Sequence, residues 1–453
     1  MRYAPPGLCL NDFDLQHVDG EWRLLHLQAP PLHPFDASVL ETSYGHAASS
    51  DLVNWTPLPP AFGIGRPGAF DDSAVWTMHQ VPTAEGSALF YTGVSQGDDG
   101  GARQAVGLAF SDRRDGTGWR RANGGRPVVT ADPAWYRTGP DMAWRDPFVV
   151  RDDAQDRWLM VICARVADGP AERSGCVGTA TSTDLLHWTA GPPLLVPGDI
   201  DEFECPVLER VADGWLLIGS IGPDHDVHTW HAPDLSGPWA PQGRLGPAGI
   251  YAPRLTSHDG RRLLLHTLQR RHGLTDTGPL GRGVLAQPKV LHHTPGTAPQ
   301  LLWWEGSDRH LQADRAEGAA EGDTARDGCL DAVFDGPVAD FSLRLRGDGT
   351  GDGKGAVLLE YRNEELTVSY PDGTPLAGTA VPAAPARSLR VLHVGEYVEV
   401  YLDDVFVLAT CAYEPSGDEA DLTVGGAPHP LRRRRLAPAD RRDDVGAVRT
   451  PAP

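Results

Sequence analysis

The hydrophobic positions in the first two thirds of the chain fall in short segments rather than in long helical stripes. The segments are four to six residues long, and three of them follow an Asp-Gly pair, at 19–20, 213–214 and 259–260. A short apolar run behind such a turn is typical of a strand in a β-hairpin. The segments that fit this pattern are residues 22–27, 88–92, 157–162, 215–218 and 262–266.

A second motif follows four of these segments and joins an aspartate to a tryptophan a few residues later. Its tryptophans are Trp55, Trp119, Trp188 and Trp239. They stand about 50–70 residues apart, a repeat length that suits one four-stranded blade of a β-propeller. We therefore predict a five-bladed β-propeller over residues 1–305, in which the repeated Asp and Trp are packing residues. A β-sandwich whose segments match by chance is the alternative.

The pattern changes after Trp304, because none of the 13 tryptophans lies beyond it. Residues 397–402 alternate valine or leucine with Tyr and Glu, which is the period of a half-buried strand. We expect an accessory β-sandwich over 306–425, so the predicted fold class is all-β. The stretch 426–453 carries four consecutive arginines at 432–435, and we expect it to be a disordered, solvated tail.

Composition narrows the choice of partners and location. The 453-residue chain has 40 basic and 61 acidic side chains and a net charge of −21, which argues against nucleic acid or an anionic membrane as a partner. No apolar run approaches the roughly 20 residues that span a bilayer. The N-terminal residues lack the apolar segment of a secretory signal, so we expect a cytoplasmic protein, or a secreted one if the sequence was trimmed. The six cysteines show no C-x-x-C spacing, which argues against a zinc site and a disulfide framework.

Three carboxylates precede three of the apolar segments at similar distances. Asp12, Asp146 and Glu204 stand 10, 12 and 11 residues before the tryptophan near the start of the next segment. We therefore place each on the innermost strand of a blade, where the strands meet around the central channel. Two carboxyl groups can cleave a glycosidic bond, one as acid and one as nucleophile or base, and a third can stabilise the transition state. The alternative is that each acid caps a turn or pairs with an arginine, as Arg145 could do for Asp146.

The same positions carry a family resemblance. Asn11-Asp12, Arg-Asp-Pro at 145–147 and Glu-Cys-Pro at 204–206 resemble the three hallmark motifs of glycoside hydrolase family 32, the β-fructofuranosidases. Further matches, such as Tyr-Ala-Pro at 251–253, follow in the expected order over residues 8–424. Each motif alone is weak, but the ordered set is specific.

The resemblance implies a retaining glycosidase that acts on sucrose, fructo-oligosaccharides or fructans. Asp12 would attack the anomeric carbon, Glu204 would protonate the leaving oxygen and later activate water, and Asp146 would hold sugar hydroxyls and stabilise the transition state. No metal and no organic cofactor is implied. The further side chains expected around the sugar are Asn11, Gln28, Tyr44, Phe70, Asp71, Arg145 and Tyr251.

Four departures from the family pattern fall around this expected pocket. The usual Asp-Pro-Asn-Gly is Asp-Phe-Asp-Leu at 12–15, and the usual Phe-Ser-Gly is Phe-Asp-Asp at 70–72. Tyr44 stands where a tryptophan is common, and His266 where another aromatic is frequent. They imply a retained reaction with an altered substrate, and Asp71 and its neighbour are either extra sugar contacts or turn residues.

Other functions stay open at this point. The same acids would serve a fructosyltransferase that forms difructose or oligosaccharides. An inverting arabinoside or xyloside hydrolase of a related propeller family and a non-catalytic sugar-binding propeller are further alternatives. The motifs leave open the oligomeric state, the exact linkage and the choice between exo and endo action.

Overall fold

The computed structural model describes residues 1–30, 41–113, 115–222, 226–313, 327–347, 356–381, 385–413, 417 and 419–437. Strands dominate, and the helical residues are four short 3-10 turns at Asn123–Gly125, Ala171–Arg173, His272–Leu274 and Glu305–His310. None of these turns has the length or the apolar character that crossing a membrane would require.

The N-terminal part is built from successive antiparallel units of four strands. The first four units are β1 Cys9–Val18, β2 Glu21–Ala29, β3 Ser43–Ser49 and β4 Thr56–Gly63; β5 Ala74–Thr83, β6 Gly86–Gln96, β7 Ala102–Ser111 and β8 Arg120–Arg121; β9 Trp144–Asp152, β10 Arg157–Arg165, β11 Gly175–Ser182 and β12 Thr189–Leu195; and β13 Phe203–Val211, β14 Gly214–Ile221, β15 Asp226–Ala232 and β16 Ala240–Arg244. The fifth unit is β17 Ile250–His258, β18 Arg261–Arg271, β19 Leu280–Leu285, β20 Lys289–His292 and β21 Gln300–Trp303. In it, β19 and β20 both pair with β18 and share the third position of the sheet.

The first strands of the five units contact one another in a closed ring, in the order β1, β5, β9, β13, β17 and back to β1. Blade five is also joined to blade one by pairing of β19 with β1, where Gly283 lies opposite Leu10. This ring is the arrangement expected of a propeller, and it agrees with the predicted five blades. It brings the starts of five strands together around one centre.

The repeated aspartate–tryptophan motif forms the turn between the third and fourth strands of a blade. In blade one, Oδ1 of Asp51 accepts hydrogen bonds from the main-chain N–H groups of Val53 and Asn54, at 2.9 and 2.7 Å. Asp184 makes the same turn in blade three. The carboxylate replaces backbone partners that a turn lacks, and Trp55 next to it is buried. These residues therefore hold the blades together and lie outside the chemistry.

The C-terminal part is a sandwich of two six-stranded sheets around one apolar core. The strands are β22 Leu311–Ala313, β23 Gly328–Val338, β24 Asp340–Gly347, β25 Val357–Arg362, β26 Glu365–Ser369, β27 Pro375–Ala380, β28 Ala386–Val394, β29 Tyr397–Leu402, β30 Val405–Cys411, β31 Glu419–Val424, β32 Ala427–His429 and β33 Arg432–Leu436. One sheet has the order β22-β33-β23-β28-β29-β30 and the other β27-β26-β25-β24-β31-β32. The predicted all-β fold, a propeller followed by a sandwich, is confirmed.

The prediction of a disordered tail from residue 426 is wrong for the part that the structure describes. Strand β33 lies between β22 and β23 and belongs to the sandwich. Its arginines are not a solvated charge run, because Arg434 is buried and pairs with Asp331 and Asp308 at 2.7 and 2.6 Å. The sandwich thus extends at least to Leu436, and residues 438–453 lie outside the described residues.

Propeller and sandwich meet in one continuous sheet, because Leu302 of β21 lies opposite Val405 of β30. A fully buried ion pair lies nearby, between the ammonium group of Lys289 and Oε1 of Glu399. The hydroxyls of Tyr397 and Tyr401 also donate to the Glu399 carboxylate. A buried pair with this many additional donors links blade five to the sandwich.

Candidate active site

Each first strand of the propeller carries a β-bulge close to its start. In β9, Asp146 and Pro147 are skipped by the ladder that pairs Arg145 and Phe148 with β10. The ladders of β1, β5, β13 and β17 shift at the corresponding places. A bulge bends its strand and redirects side chains out of the regular alternation. Five bulges on one ring therefore turn side chains toward a common centre.

Asp12, Asp146 and Glu204 lie at three of these bulges, but not at equivalent positions within them. Asp12 is the second unpaired residue in β1, Asp146 is the first in β9, and Glu204 is the paired residue just before the bulge in β13. The expectation of matching positions is thus off by one residue in each direction. Counting from the next tryptophan missed this, because the hairpin turn after β9 is two residues longer than the turn after β13.

Three bulges share a backbone conformation, and in each of them a proline follows the left-handed residue. Asp146, Cys205 and Ala252 have φ angles of 61°, 48° and 47°, and a proline follows each. Proline has no N–H to donate to the ladder, so it is tolerated where the ladder is interrupted. A left-handed residue that is not glycine is strained and is often found at functional sites. The x-Pro motifs therefore mark three of the five bulges, whereas the bulges of β1 and β5 contain no proline.

Asp12 and Asp146 form a buried pair of acids. Oδ2 of Asp12 accepts a hydrogen bond from the hydroxyl of Thr77, whereas its Oδ1 has no hydrogen-bond partner among the described residues. Oδ2 of Asp146 accepts from the main-chain N–H of Cys205 at 2.9 Å. Burial, and then the charge of Asp146, raise the pKa of Asp12 to about 7, and burial also raises the pKa of Asp146. The pair therefore retains a proton near neutral pH.

Glu204 is held by one cation and one hydroxyl group. Nη2 of Arg145 lies 2.7 Å from its Oε1, and the hydroxyl of Tyr251 donates to its Oε2 at 2.9 Å. Arg145 also forms a two-pronged ion pair with Glu202, at 2.5 and 3.2 Å, and its Nε lies 3.8 Å from Oδ2 of Asp146. The guanidinium group of Arg145 thus contacts three carboxylates. Burial and the nearby Glu204 raise the pKa of Tyr251, which keeps its hydroxyl a neutral donor.

The acids line a cavity of about 460 Å³ at the centre of the propeller. Six of the predicted site residues come together in its wall: Asn11, Asp12, Arg145, Asp146, Glu204 and Tyr251. The sequence interpretation missed other lining residues: Leu27, Glu41, Trp76, Thr77, Gln104, Glu202, Gln269, His272, Leu280, Gly281 and Arg282.

Two of the missed residues left a signal in the sequence. Thr77 lies at the bulge of β5, so an alignment of the five first strands would have indicated it. Glu202 stands two residues before Glu204, and alternate residues of an extended chain share a face. The missed residues of blade five left no such signal, because they lie on its second and third strands and on the connection between them instead of on the first strand.

Four predicted sugar contacts do not line this cavity. Tyr44 is fully buried, and its hydroxyl donates to the carbonyl of Trp76 at 2.5 Å, behind the cavity wall. The side-chain amide oxygen of Gln28 packs against Gly45. Phe70 and Asp71 border a different cavity, of about 910 Å³, at blade two.

Asp71 has two hydrogen-bond donors beside it in the fold that account for its burial. Its Oδ2 accepts from the hydroxyl of Tyr91 at 2.9 Å and from Nε of Arg121 at 2.8 Å. With these two donors Asp71 forms a structural ion pair with Arg121, and this pair lies away from the three acids. His266, the aromatic substitution in blade five, is likewise buried and stacks on Phe406 of the sandwich.

One set of atoms at the centre has the spacing of metal ligands. Ligand atoms of Asp12, Asp146 and Cys205 lie within 4.8 Å of one another. Metals bind thiolates, however, and burial raises the pKa of the Cys205 thiol well above its ordinary value. The described contacts of these atoms are those of a pair of acids beside a neutral thiol.

Known proteins resemble this chain in sequence over most of its length. A levanase of Bacillus sp. (strain L7) is 27% identical over 424 residues, a match that covers 80% of this chain and 42% of that protein. The raffinose invertase of Escherichia coli is 27% identical over 289 residues, covering 58% of this chain and 55% of that enzyme. The chain thus spans about half the length of the curated relatives that it matches.

The fold is also that of a solved enzyme. The GH32 β-fructofuranosidase of Bombyx mori superposes with a TM-score of 0.71 at 18% identity, over 95% of this chain and 91% of that chain. A mutant of that enzyme was solved in complex with sucrose. Residues 3–230, half of the chain, match the family model described as the glycosyl hydrolases family 32 N-terminal domain. The chain belongs to glycosyl hydrolase family 32.

Proposed function

We propose that the protein hydrolyses β-fructofuranosidic bonds with retention of configuration, taking sucrose, fructo-oligosaccharides or fructans as substrates. The observation that carries the proposal is the convergence of Asp12, Asp146 and Glu204 on one cavity from three different blades. The names of the relatives, a levanase and a raffinose invertase, support the substrate class. The sucrose bound to the Bombyx mori enzyme supports it as well.

Asp12 is the nucleophile in this mechanism. Its Oδ1 is buried and accepts no hydrogen bond from the described residues, so this oxygen is free to attack an anomeric carbon. The Thr77 hydroxyl holds the other oxygen and fixes the plane of the carboxylate. A desolvated carboxylate is also more reactive than a hydrated one. Attack by Asp12 forms a covalent fructosyl-enzyme intermediate.

Glu204 is the acid in the first step and the base in the second. Its two oxygens already meet Arg145 and Tyr251, and both contacts strengthen as the carboxyl group gives up its proton. The leaving oxygen therefore departs while the enzyme stabilises the charge that remains on Glu204. In the second step the same carboxylate takes a proton from the attacking water.

The ionisation state of the site suits this division of roles. A retaining glycosidase needs one proton on the acid and none on the nucleophile. Because the pKa of Asp12 is about 7, the acids of the cavity hold a proton near neutral pH. In the working state Asp12 has lost its proton and Glu204 carries the proton that it donates. Asp146, with one oxygen held by the Cys205 N–H, then faces the sugar as the third carboxylate.

The test is a substrate panel with matched variants. Wild type is expected to release fructose from sucrose, raffinose, inulin or levan, and Asp12→Asn and Glu204→Gln to lower the rate by at least about 10³-fold. The control is Glu209→Gln, since Glu209 is another buried acid of β13 that pairs with Arg262 instead of the cavity. Proton NMR of the first-formed anomer is expected to show retention. No release from any substrate, or the inverted anomer, would overturn the proposal.

A further inference from the structure

The end of the hairpin between β18 and β19 forms one wall of the active-site cavity. It contributes Gln269, His272, Leu280, Gly281 and Arg282, more of the described lining residues than any other blade. At its base, Arg282 pairs with Glu41 of blade one at 2.5 Å, and both side chains are buried. We call residues 269–282 the wall hairpin.

The tip of the wall hairpin lies at the rim of the cavity. Leu280 is 53% exposed although it lines the cavity, whereas Asp12 and Asp146 are 6% and 3% exposed. When one sugar unit binds at the acids, the rest of the substrate therefore lies beside the tip. On the proposed function, from which this step follows, that remaining part is the leaving group. Leu280 and His272 are then the side chains that it meets.

The sandwich holds the tip of the wall hairpin through the carboxylate of Asp276, and its base through Arg270, whose Nη2 lies 2.5 Å from Oε1 of Glu396. Oδ2 of Asp276 accepts a hydrogen bond from the hydroxyl of Tyr370 at 2.5 Å, and its Oδ1 accepts from the main-chain N–H of Tyr413 at 3.2 Å. The hydroxyl of Tyr413 in turn accepts from the main-chain N–H of Arg271 at 2.9 Å. Both tyrosines belong to the sandwich. We call Asp276, Tyr370 and Tyr413 the clasp.

The rest of the wall hairpin moves with the clasp, because the tip is closed on itself. The main-chain N–H of His272 donates to the carbonyl of Pro279 at 2.9 Å, and Nη1 of Arg271 donates to the carbonyl of Gly278 at 2.9 Å. A loop with such internal bonds behaves as one body. Its angle to the cavity then depends on where the sandwich holds Asp276 and Arg270 and on where blade one holds Arg282.

From these contacts we infer that the clasp makes the sandwich a positioning element for the leaving group. The sandwich does not touch the reacting atoms, but it sets the distance between the tip and the acids. The fructosyl unit is bound by the strands of the propeller and does not depend on the clasp. Loosening the clasp therefore changes the preference among leaving groups and spares the chemistry on the fructosyl unit.

The experiment compares leaving groups of different size on the same fructosyl unit. In Tyr370→Phe, kcat/KM for sucrose and for an inulin oligosaccharide is expected to fall roughly tenfold, through KM. The kcat/KM for methyl β-fructofuranoside is expected to stay within about twofold of the wild-type value. The control is Tyr361→Phe, which removes a hydroxyl from a buried tyrosine on the neighbouring strand β25. Among the described residues no hydrogen bond joins its side chain to the wall hairpin. Equal losses on all three substrates, or no loss on any, would overturn the inference.

A second measurement separates this inference from the proposed function. If wild type cleaves none of the three substrates, the proposed function fails and the activity comparison is void. Hydrogen exchange then tests the clasp without activity. Tyr370→Phe is expected to speed exchange of the amides of Arg271 and His272 severalfold, and Tyr361→Phe to leave them unchanged. Unchanged exchange in Tyr370→Phe would show that the sandwich does not hold the hairpin.

Discussion

The hydroxyl of Tyr251 donates a 2.9 Å hydrogen bond to Oε2 of Glu204, so the tyrosine of blade five and the acid of blade four act as one unit. The sequence placed Tyr251 among the sugar contacts. On the proposed mechanism its contact with Glu204 also gives it a role in the proton transfer, because the bond strengthens as the glutamate ionises.

Tyr251→Phe is expected to lower kcat by about 10- to 100-fold, the range that corresponds to one hydrogen bond to a charged group. KM changes little, because the contact stabilises the transition state more than the bound substrate. Steady-state kinetics on sucrose measure both constants. A raised KM with unchanged kcat would show that Tyr251 contacts the sugar instead.

The pH profile of kcat/KM tests the ionisation of the nucleophile. Burial and the charge of Asp146 raise the pKa of Asp12 to about 7, and the nucleophile must be ionised to attack. Activity is therefore expected to fall about tenfold for each pH unit below that value. A profile that stays level down to pH 5 would contradict the assignment of Asp12.

Thr77 offers a second test on the same profile. Its hydroxyl donates to the Asp12 carboxylate and lowers the pKa of that group, so its removal moves the acid limb to higher pH. Thr77→Val is expected to shift the limb upward by about one pH unit. The matched control is Thr229→Val, whose hydroxyl donates to the carbonyl of Gly243 in blade four. If the acid limb of the profile does not shift in Thr77→Val, the hydrogen bond from Thr77 does not stabilise the Asp12 carboxylate.

The same acid gives a prediction for stability. In the folded protein the pKa of Asp12 is raised, so the folded state binds its proton more tightly than the unfolded chain does. Its contribution is favourable at low pH and is lost as the pH rises from about 4 to about 7. Asp12→Asn removes this charge and is therefore expected to raise Tm at pH 8, by about 1–2 °C for each kcal/mol gained, and to raise it by less at pH 5. A lower Tm at pH 8 would show that the fold depends on the charge.

The limits of the sequence interpretation lie in contacts that join distant parts of the chain. The apolar segments and the short family motifs are local, and they predicted the strands and the three acids. The pairings of Arg434 with Asp331 and of Asp71 with Arg121 span 103 and 50 residues, so a charge run and an expected sugar contact both turned out to be structural. The wall hairpin was missed for the same reason, since its position depends on the sandwich.

The buried pair between Lys289 and Glu399 predicts unequal effects of removing its two members. After Lys289→Met, the Glu399 carboxylate keeps the hydroxyls of Tyr397 and Tyr401 and the side-chain amide of Gln287 as donors. After Glu399→Leu, the ammonium group keeps only the carbonyl of Gln287 and the ring face of Phe406 among its described partners. Burial already lowers the pKa of Lys289, and without Glu399 the group must lose its proton or remain an uncompensated charge.

Glu399→Leu is therefore expected to cost about 3–5 kcal/mol of unfolding free energy, and Lys289→Met less. The double variant, which removes both charges, is expected to recover part of the loss, because replacing a whole buried ion pair by apolar groups is often neutral. Urea unfolding of the three variants measures the free energies. If Lys289→Met costs as much as Glu399→Leu, the tyrosine donors do not stabilise the carboxylate. If the double variant is the least stable, the charges themselves hold the propeller to the sandwich.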